Sequence, residues 1–218
     1  MARARSARIR VRRIPQNARY DTDSINRVLG RGRIAHVSFA IDGQPYCIPT
    51  LYARVGDRVS IHGSSASRMI RHLASGAPAC VTVTIFDGWV LARSAFETSV
   101  NYDSATLFGR FHPITSPDDK LSALAAFMEV VLPGRWAEVR QPSRQELKAT
   151  AILELEIDEA SVKTRSGPPD DDESPDAERD TWAGVIPVTR GYGAPEPSPG
   201  LRAGVPLGGS IGRLADPH

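Results

Sequence analysis

The sequence predicts a mainly β protein, a closed or nearly closed barrel of six or more antiparallel strands with a few peripheral helices. Short runs alternate apolar and polar residues, as in 81–85 (VTVTI) and 153–157 (LELEI), and this period of two is typical of a half-buried strand. Asp-Gly dipeptides at 42–43 and 87–88 indicate tight hairpin turns, because both residues tolerate positive φ. Closure into a barrel removes the exposed edges that so many strands would otherwise leave.

Length and composition favour one core with flexible ends. The chain has 218 residues, of which 41% are hydrophobic, and its formal net charge is +2. We expect a disordered basic leader at 1–20, a barrel domain at 21–163, an acidic Pro/Gly loop at 164–180, a docking segment at 181–190 and a Pro/Gly-rich tail at 191–218. The leader carries six arginines in its first thirteen residues, but an unpatterned terminal arm of this kind is more typical of disorder than of nucleic-acid binding.

The predicted location is the cytoplasm. No run of about 18 apolar residues predicts a membrane span, and no apolar signal-peptide core follows the leader. Cys47 and Cys80 lie in apolar strand-like runs and are interpreted as small buried thiols of a reducing compartment. A disulfide between them is left open.

Helices are predicted where capping residues precede apolar periodicity. The first covers 21–29, and the two glycines of GRGRIA (30–35) are interpreted as its end. That segment matches a dinucleotide-binding fingerprint, but it leaves a helix and opens a strand, the reverse of what phosphate binding requires. Further helices are expected at 64–76, from Ser116 to Leu132 with an apolar stripe in the core, and at 142–149.

Strands fill most of the remaining domain. They are expected at 33–40, 45–53, 58–63, 105–114 and 152–163, together with a strand pair at 81–93 that turns at Asp87-Gly88.

The segment HGSSASR (62–68) is the first candidate site. A strand ends there and a helix begins, so that the hydroxyls of Ser64, Ser65 and Ser67 and the guanidinium of Arg68 would surround one phosphate group. Gly63 would allow close approach of the backbone. The alternative is an ordinary helix capped by a serine.

The segment from Ser94 to Gly109 is the second candidate site. Hydroxyl, amide and phenol side chains crowd between two apolar runs, which suggests the wall of a ligand site. The alternative is a polar crossover loop whose side chains bond to its own backbone. Histidines 36, 72 and 112 show no metal-binding spacing, so no metal is expected.

Four segments in series resemble one known family. IHGSSASR, DGWVLARSAFETSVNYDSATLFGR, SVKTRSGPPD and WAGVIPV are similar, in this order, to the pyridoxamine 5′-phosphate oxidase-like flavoproteins, and closest to the nitroimidazole-resistance branch. The resemblance covers about 33–188. It implies a Greek-key FMN-binding split β-barrel, and a homodimer with FMN between the subunits.

The resemblance also implies roles for single residues. Ser67 and Arg68 would hold the FMN phosphate, in agreement with the argument from the helix start, which also includes Ser64. His62 and Gly63 would lie beside the ribityl chain or the ring. Trp182 would cover the flavin cleft. The polar edge of the isoalloxazine would meet Ser99, Asn101, Tyr102 and Ser104, the last from the second subunit.

The expected function is that of an FMN-dependent oxidoreductase. It would reduce a small aromatic, nitro or quinone-like compound with electrons from NADH or NADPH, and His62 would donate the proton, since its ordinary pKa is about 6.5. Its alternative role is that of a neutral histidine inside the barrel. Asp103 stands where this branch has a basic residue, and no C-terminal arginine motif is evident, so vitamin B6 synthesis is not expected. The alternatives are a non-catalytic flavin carrier or sensor and a reductase that uses a deazaflavin.

Overall fold

A computed structural model describes residues 4–215, and strands dominate it. The strands are β1 (Ala18–Arg19), β2 (Ile34–Ile41), β3 (Gln44–Leu51), β4 (Ala53–Val55), β5 (Arg58–Ser64), β6 (Pro78–Leu91), β7 (Ser99–Pro113), β8 (Thr150–Arg165) and β9 (Gly184–Pro187). The helices are α1 (Thr22–Arg31), α2 (Arg68–Ala74), α3 (Pro117–Val131), α4 (Arg135–Glu138), α5 (Arg144–Ala149) and α6 (Gly209–Ala215), and a 3-10 turn covers Pro15–Asn17. The mainly β class predicted from the alternating runs is confirmed.

The chain forms two compact units. Unit 1 comprises Met1–Thr50, Pro78–Arg110 and Ile157–Thr189, and unit 2 comprises Leu51–Ala77, Phe111–Glu156 and Arg190–His218. The long strands β7 and β8 contribute to both units. Among the described residues, no helix is both long and apolar enough to cross a membrane.

Unit 1 is an antiparallel sheet with the strand order β3-β2-β6-β7-β8. β1 adds to β8, and β9 adds to β6. The hairpin between β2 and β3 turns at Asp42-Gly43, where φ is 51° and 79°. Both values lie in the left-handed region that this dipeptide tolerates, so the predicted tight turn is confirmed.

The second Asp-Gly dipeptide forms no turn, and the predicted strand pair at 81–93 is wrong. β6 runs through Asp87 and Gly88 without reversing, and its pairing with β7 shifts register between Phe86 and Gly88, which marks a β-bulge. β9 packs against this bulge. A Cβ at Gly88 would lie 2.6 Å from the carbonyl oxygen of Ile186, so the glycine serves close approach of β9 rather than a hairpin.

Helix α1 is capped as predicted but is longer than expected. The side chain of Asp21 accepts a hydrogen bond from the Ser24 N–H at 2.8 Å, a standard N-cap. Gly30 lies inside the helix rather than ending it, and Gly32 is the C-cap residue. The interpretation of Gly30 as a helix end is therefore wrong.

Unit 2 pairs β8 with β5 and β5 with β4, and helices α2 to α5 belong to it. α2 buries Met69, Ile70 and Leu73, as its periodicity predicts. α3 begins at its predicted cap, Ser116. The predicted apolar stripe is only half-buried, however, and the buried residue is Phe127, which lies outside the stripe. β4, α4 and α5 pack against α3 but leave the stripe half-buried, so its predicted core position is wrong. The stripe residues are Leu121, Leu124, Ala125, Met128, Val131 and Leu132.

Parts of the leader and tail pack against their own units. In unit 1, Ile9 is buried, and Arg8 pairs with Glu159 at 2.6 Å. In unit 2, Ser210 is buried, and its N–H and hydroxyl both donate to Glu138. These contacts differ from the disorder that the composition of the leader predicts, because an apolar side chain and paired charges anchor it.

The two cysteines are free. Cys47 is exposed, so the prediction of a buried thiol is wrong for it. It lies on β3, the edge strand of unit 1, with Pro45 and Pro49 exposed beside it. Cys80 is half-buried, and burial raises the pKa of its thiol.

Candidate functional site

The residues predicted to bind the cofactor fall into two sets, one in each unit. The phosphate set, in unit 2, is His62, Gly63, Ser64, Ser67 and Arg68. The ring set, in unit 1, is Ser99, Asn101, Tyr102, Ser104 and Trp182.

The phosphate set occupies the end of β5 and the turn into α2. The turn is closed by a backbone hydrogen bond from the Ser67 N–H to the Ser64 carbonyl at 2.9 Å. The Ser64 hydroxyl accepts from the Ala66 N–H at 3.2 Å. Gly63 faces α2 closely, since a Cβ there would lie 3.2 Å from Ile70. The glycine therefore lets the strand end pack directly on the helix.

Ser67 does not behave as an ordinary capping serine. It is the N-cap residue of α2, yet its side chain makes no capping hydrogen bond. The serines that precede the other two capped helices of unit 2, Ser116 and Ser143, both accept such bonds. Because the Ser67 hydroxyl is not used for capping, it remains available to an anion beside Arg68. The alternative prediction of a serine-capped helix is not what the structure has.

His62 is a half-buried imidazole whose ring contacts an aromatic side chain. Its Nδ1 is buried and has no hydrogen-bond partner among residues 4–215. Its ring lies edge-on to Phe127, with 4.7 Å between centroids and 87° between planes. Burial lowers the pKa of His62, because a low dielectric disfavours the charged form. An unpartnered buried nitrogen of this kind costs free energy unless something binds it.

The ring set is divided between two faces of strand β7. The predicted crossover loop ends earlier than expected, since β7 begins at Ser99 and pairs with β6 from there. Successive side chains of a strand point to opposite faces. Asn101 therefore lies on the buried face, and Tyr102 and Ser104 lie on the other, half-exposed face.

Asn101 is engaged in a polar network of unit 1. Its Oδ1 accepts from Arg165 Nη1 at 2.7 Å, and its Nδ2 donates to the Gly167 carbonyl at 3.1 Å. Arg165 also donates to the Pro168 carbonyl at 3.0 Å. The side chain of Asn101 thus fixes the start of the acidic loop, a role that no local sequence signal indicates.

Asp171 anchors the acidic loop further along. It is fully buried, and its carboxylate accepts from the Arg93 N–H at 2.7 Å and from Arg93 Nη1 at 3.0 Å. Neighbouring acids in the run 170–173 are exposed. The sequence alone does not single out Asp171 among these acids, so this anchor was missed.

Asp103 joins two arginines of α1. It is 3% exposed, and its Oδ2 accepts from Arg27 Nη1 at 2.6 Å and from Arg31 Nη1 at 2.5 Å. Burial acts to raise the pKa of Asp103, but hydrogen bonds from Thr164 and Arg27 and the charges of both arginines hold it below its usual value. Arg31 also pairs with Asp87 at 2.6 Å. The carboxylate at the position expected to be basic therefore sits within a neutral cluster of two arginines and two aspartates.

The half-exposed face of β6 and β7 combines hydroxyls with aromatic rings. Ser104 Oγ lies 3.3 Å from Thr84 Oγ1. Tyr102 pairs with Phe86, whose ring meets that of Trp89 at 5.2 Å between centroids and 72° between planes. Trp89 is 52% exposed. Hydroxyls beside exposed rings are suited to a flat heteroaromatic ligand, and Thr84, Phe86 and Trp89 were not foreseen as its neighbours.

Trp182 precedes β9 and is 65% exposed. Its ring lies over Gly184, where a Cβ would be 2.9 Å from ring atom Cζ2. β9 itself pairs with β6 from Gly88 to Leu91, so the segment predicted to dock does add to the sheet of unit 1. No group of three or more His, Cys, Asp or Glu side chains within residues 4–215 is arranged to hold a metal ion.

Comparison with known proteins places these features in context. Residues 21–164 match the family model described as pyridoxamine 5′-phosphate oxidase. No curated protein matches the sequence significantly. The structure is similar to that of an FAD and heme binding protein from Mycobacterium smegmatis, with 43% identity, a TM-score of 0.87, and coverage of 91% of this chain and 97% of that one.

Two further structures are informative. The flavocytochrome Anf3 from Azotobacter vinelandii is 39% identical, with a TM-score of 0.91 and coverage of 98% of this chain and 99% of that one. A 5-nitroimidazole antibiotic resistance protein from Bacteroides thetaiotaomicron, described as putative, shares 18% identity and has a TM-score of 0.57 over 67% of this chain and 85% of its own. At that identity the last match shows the fold alone. Together with the family match, these structures confirm the split-barrel fold.

Proposed function

We propose that this chain, which belongs to the pyridoxamine 5′-phosphate oxidase family, is a flavocytochrome, a redox protein that binds a flavin and heme. The observation that carries the proposal is the similarity of more than nine-tenths of the chain to two proteins described as FAD and heme binding and as a flavocytochrome. The sequence led us to expect FMN. FAD is the flavin named for the M. smegmatis relative, and we propose FAD for this chain.

The phosphate set without His62, namely Gly63, Ser64, Ser67 and Arg68, is proposed to bind a flavin phosphate. The guanidinium of Arg68 supplies a charged donor with several N–H groups. The Ser67 hydroxyl, which makes no capping hydrogen bond, supplies a second donor next to it. Ser64 and Gly63 shape the turn that presents them. Removal of one charge-assisted hydrogen bond should cost about 1.5–3 kcal/mol, which is a loss in affinity of about tenfold or more.

The ring set is proposed to bind the isoalloxazine through its half-exposed members. Tyr102 and Ser104 share a face with Thr84 and Trp89, which offers hydroxyls for the polar edge of the ring and an aromatic surface for its plane. Asn101 acts indirectly, because its amide holds the acidic loop. Ser99 lies at the start of the same strand and Trp182 beside its partner β9, and both are proposed as flanking contacts, with the flavin between two subunits of a homodimer.

His62 is proposed as the ligand of the heme iron. Iron in heme proteins is commonly held by a neutral imidazole, and burial lowers the pKa of His62, which favours that neutral form. Phe127 holds the ring edge-on. This role replaces the expected one as a proton donor, because a histidine whose charged form is disfavoured carries the extra proton less often than an ordinary histidine does.

Flavin supplies two-electron or one-electron exchange, and heme supplies one-electron chemistry. The protein would hold the flavin phosphate through Arg68 and the heme iron through His62. An electron donor such as NADH or NADPH and a small organic acceptor fit this function. A carrier without turnover and a reductase that uses a deazaflavin are the alternatives, and anaerobic reduction by NADH or NADPH separates the enzyme from the carrier.

Two matched pairs of variants test the assignments. Arg68→Ala should weaken flavin binding by about tenfold or more, whereas Arg71→Ala, which removes an exposed arginine from the same helix, should leave it within about twofold. His62→Ala should abolish the heme absorbance of the reconstituted protein, and His36→Ala, at an exposed position of β2, should retain it. Equal behaviour within either pair would overturn that assignment.

A further inference from the structure

Unit 2 contains a cavity of about 560 Å³ that none of the predicted cofactor residues lines. It lies between the start of α3 and helix α5. Its lining residues are Thr115, Pro117, Asp118, Lys120, Arg144, Leu147 and Lys148. Three of the seven are cations and one is an anion. This volume lies within the range of about 300–1,000 Å³ that is usual for small-molecule sites.

The two cations on α5 lie close enough to repel each other. Arg144 and Lys148 are four residues apart, so they share one helix face, and like charges at this spacing destabilise a helix. Neither forms an ion pair with any residue in the described part of the chain. An anion bound between them would attract both side chains and offset this repulsion.

The carboxylate nearest to them in sequence is already used. Glu146 accepts from both Nη1 and Nη2 of Arg140, at 2.9 and 2.8 Å, and completes a capping box with Ser143. The hydrogen bonds from Arg140 are the main reason that the pKa of Glu146 is lowered to about 2. Glu146 is thus paired with Arg140 and does not form an ion pair with Arg144 or Lys148.

Lys120 adds a positioned charge. Its Nζ donates to the carbonyl oxygens of Thr150 at 2.8 Å and Leu147 at 3.3 Å. Carbonyl acceptors fix the ammonium group but do not neutralise it, and a third N–H remains for a ligand. Lys120 is half-buried, so its charge is screened less than that of a surface lysine.

We propose that this cavity binds the adenylate phosphate of an adenine dinucleotide. Its three cations match a phosphate group, and Leu147 and Pro117 offer apolar surface to the attached nucleoside. Within unit 2, hydrogen bonds link one lining residue to the segment of the phosphate set. Lys120 donates to the Thr150 carbonyl, Thr150 pairs with Ser64, and the Ser65 N–H donates to the Ala149 carbonyl at 2.9 Å. The inference rests on the proposed function, and it extends the cofactor or donor site to residues with no assigned role.

The adenylate phosphate has two possible sources. One is FAD, whose flavin-side phosphate is proposed to lie in the phosphate set, and the other is a nicotinamide dinucleotide that serves as electron donor. The first experiment is a calorimetric titration of the apoprotein with ADP, the part common to both. Arg144→Gln/Lys148→Gln should weaken ADP binding by about tenfold or more, and Asp118→Asn should strengthen it. The control for a loss of positive charge elsewhere in unit 2 is Arg58→Gln, which removes one charge of an ion pair with Glu154 and should leave ADP binding within about twofold.

Titrations with FAD, FMN, NADH and NADPH then identify the source. If FAD is the source, the double variant loses affinity for FAD while its affinity for FMN stays unchanged. If the donor is the source, both flavins bind as before, and the KM for the donor rises about tenfold. The proposal is overturned if ADP, FAD and donor binding are all the same in the double variant and in the wild type. A protein that binds no flavin would refute the proposed function, yet the ADP titration would still decide the cavity.

Discussion

Replacement of Asp103 by asparagine tests the buried charge cluster of unit 1. The substitution keeps the shape of the side chain and removes its charge. Asp103 accepts one hydrogen bond each from Arg27 and Arg31, and a hydrogen bond to a charged group contributes about 1.5–3 kcal/mol. The Arg27 and Arg31 side chains are nearly half exposed, at 47% and 43%, so water compensates much of the loss. We expect Asp103→Asn to lower the free energy of unfolding by about 2 kcal/mol at pH 7.

The lowered pKa of Asp103 determines how its contribution to stability changes with pH. The pKa of Asp103 is lower in the folded protein than its ordinary value, so its contribution to stability is fully present above about pH 3.9. It is lost as the pH falls through the lower folded value. The stability difference between wild type and variant should therefore shrink as the pH is lowered below about 4.

Urea unfolding at several pH values measures both effects. Asp57→Asn is the matched control, because the Asp57 side chain is 98% exposed and its pair with Arg54 spans 3.5 Å. It should change the stability by less than about 0.5 kcal/mol. The reasoning is refuted if Asp103→Asn is no more destabilising than this control, or if its effect is the same at pH 7 and in acid.

Two other substitutions probe the acidic loop and the bulge. Asp171→Ala removes the buried anchor of Arg93 and should speed proteolytic cleavage within 164–180, whereas Asp170→Ala, at an exposed position, should not; equal cleavage rates would contradict the anchor. Gly88→Ala places a Cβ 2.6 Å from the Ile186 carbonyl and should lower stability by about 1–3 kcal/mol. Gly191→Ala, where nothing lies within 4 Å, should have little effect, and a Gly88 variant as stable as this one would show that β9 does not pack closely on the bulge.

The elements that follow from local sequence were largely predictable. Asp42-Gly43 makes a turn because its own φ values fit one, and Ser116 caps α3 through its own side chain. Asp87-Gly88 has the same letters, but its conformation is set by β9, about a hundred residues later in the chain. Composition alone cannot distinguish a turn from a bulge when the deciding contact is so distant.

The candidate site could likewise be predicted only where its residues are close in sequence. The hydroxyls and the arginine of the phosphate set lie within one short turn, so their proximity follows from the sequence. The ring set is spread along a strand, and its division between two faces depends on where β7 begins. Asn101 is engaged with Arg165 and Gly167, and Asp171 with Arg93; each pairing joins distant segments. Such contacts leave no local pattern.

The visible absorption spectrum of the purified protein, followed by mass spectrometry of the molecules that heat releases, tests the central proposal most directly. A flavocytochrome should show flavin bands together with a strong heme band, and the released flavin should be FAD. Released FMN would support the flavin expected from the sequence and contradict the choice of FAD. A colourless protein that takes up neither added flavin nor added hemin would contradict the proposed function itself.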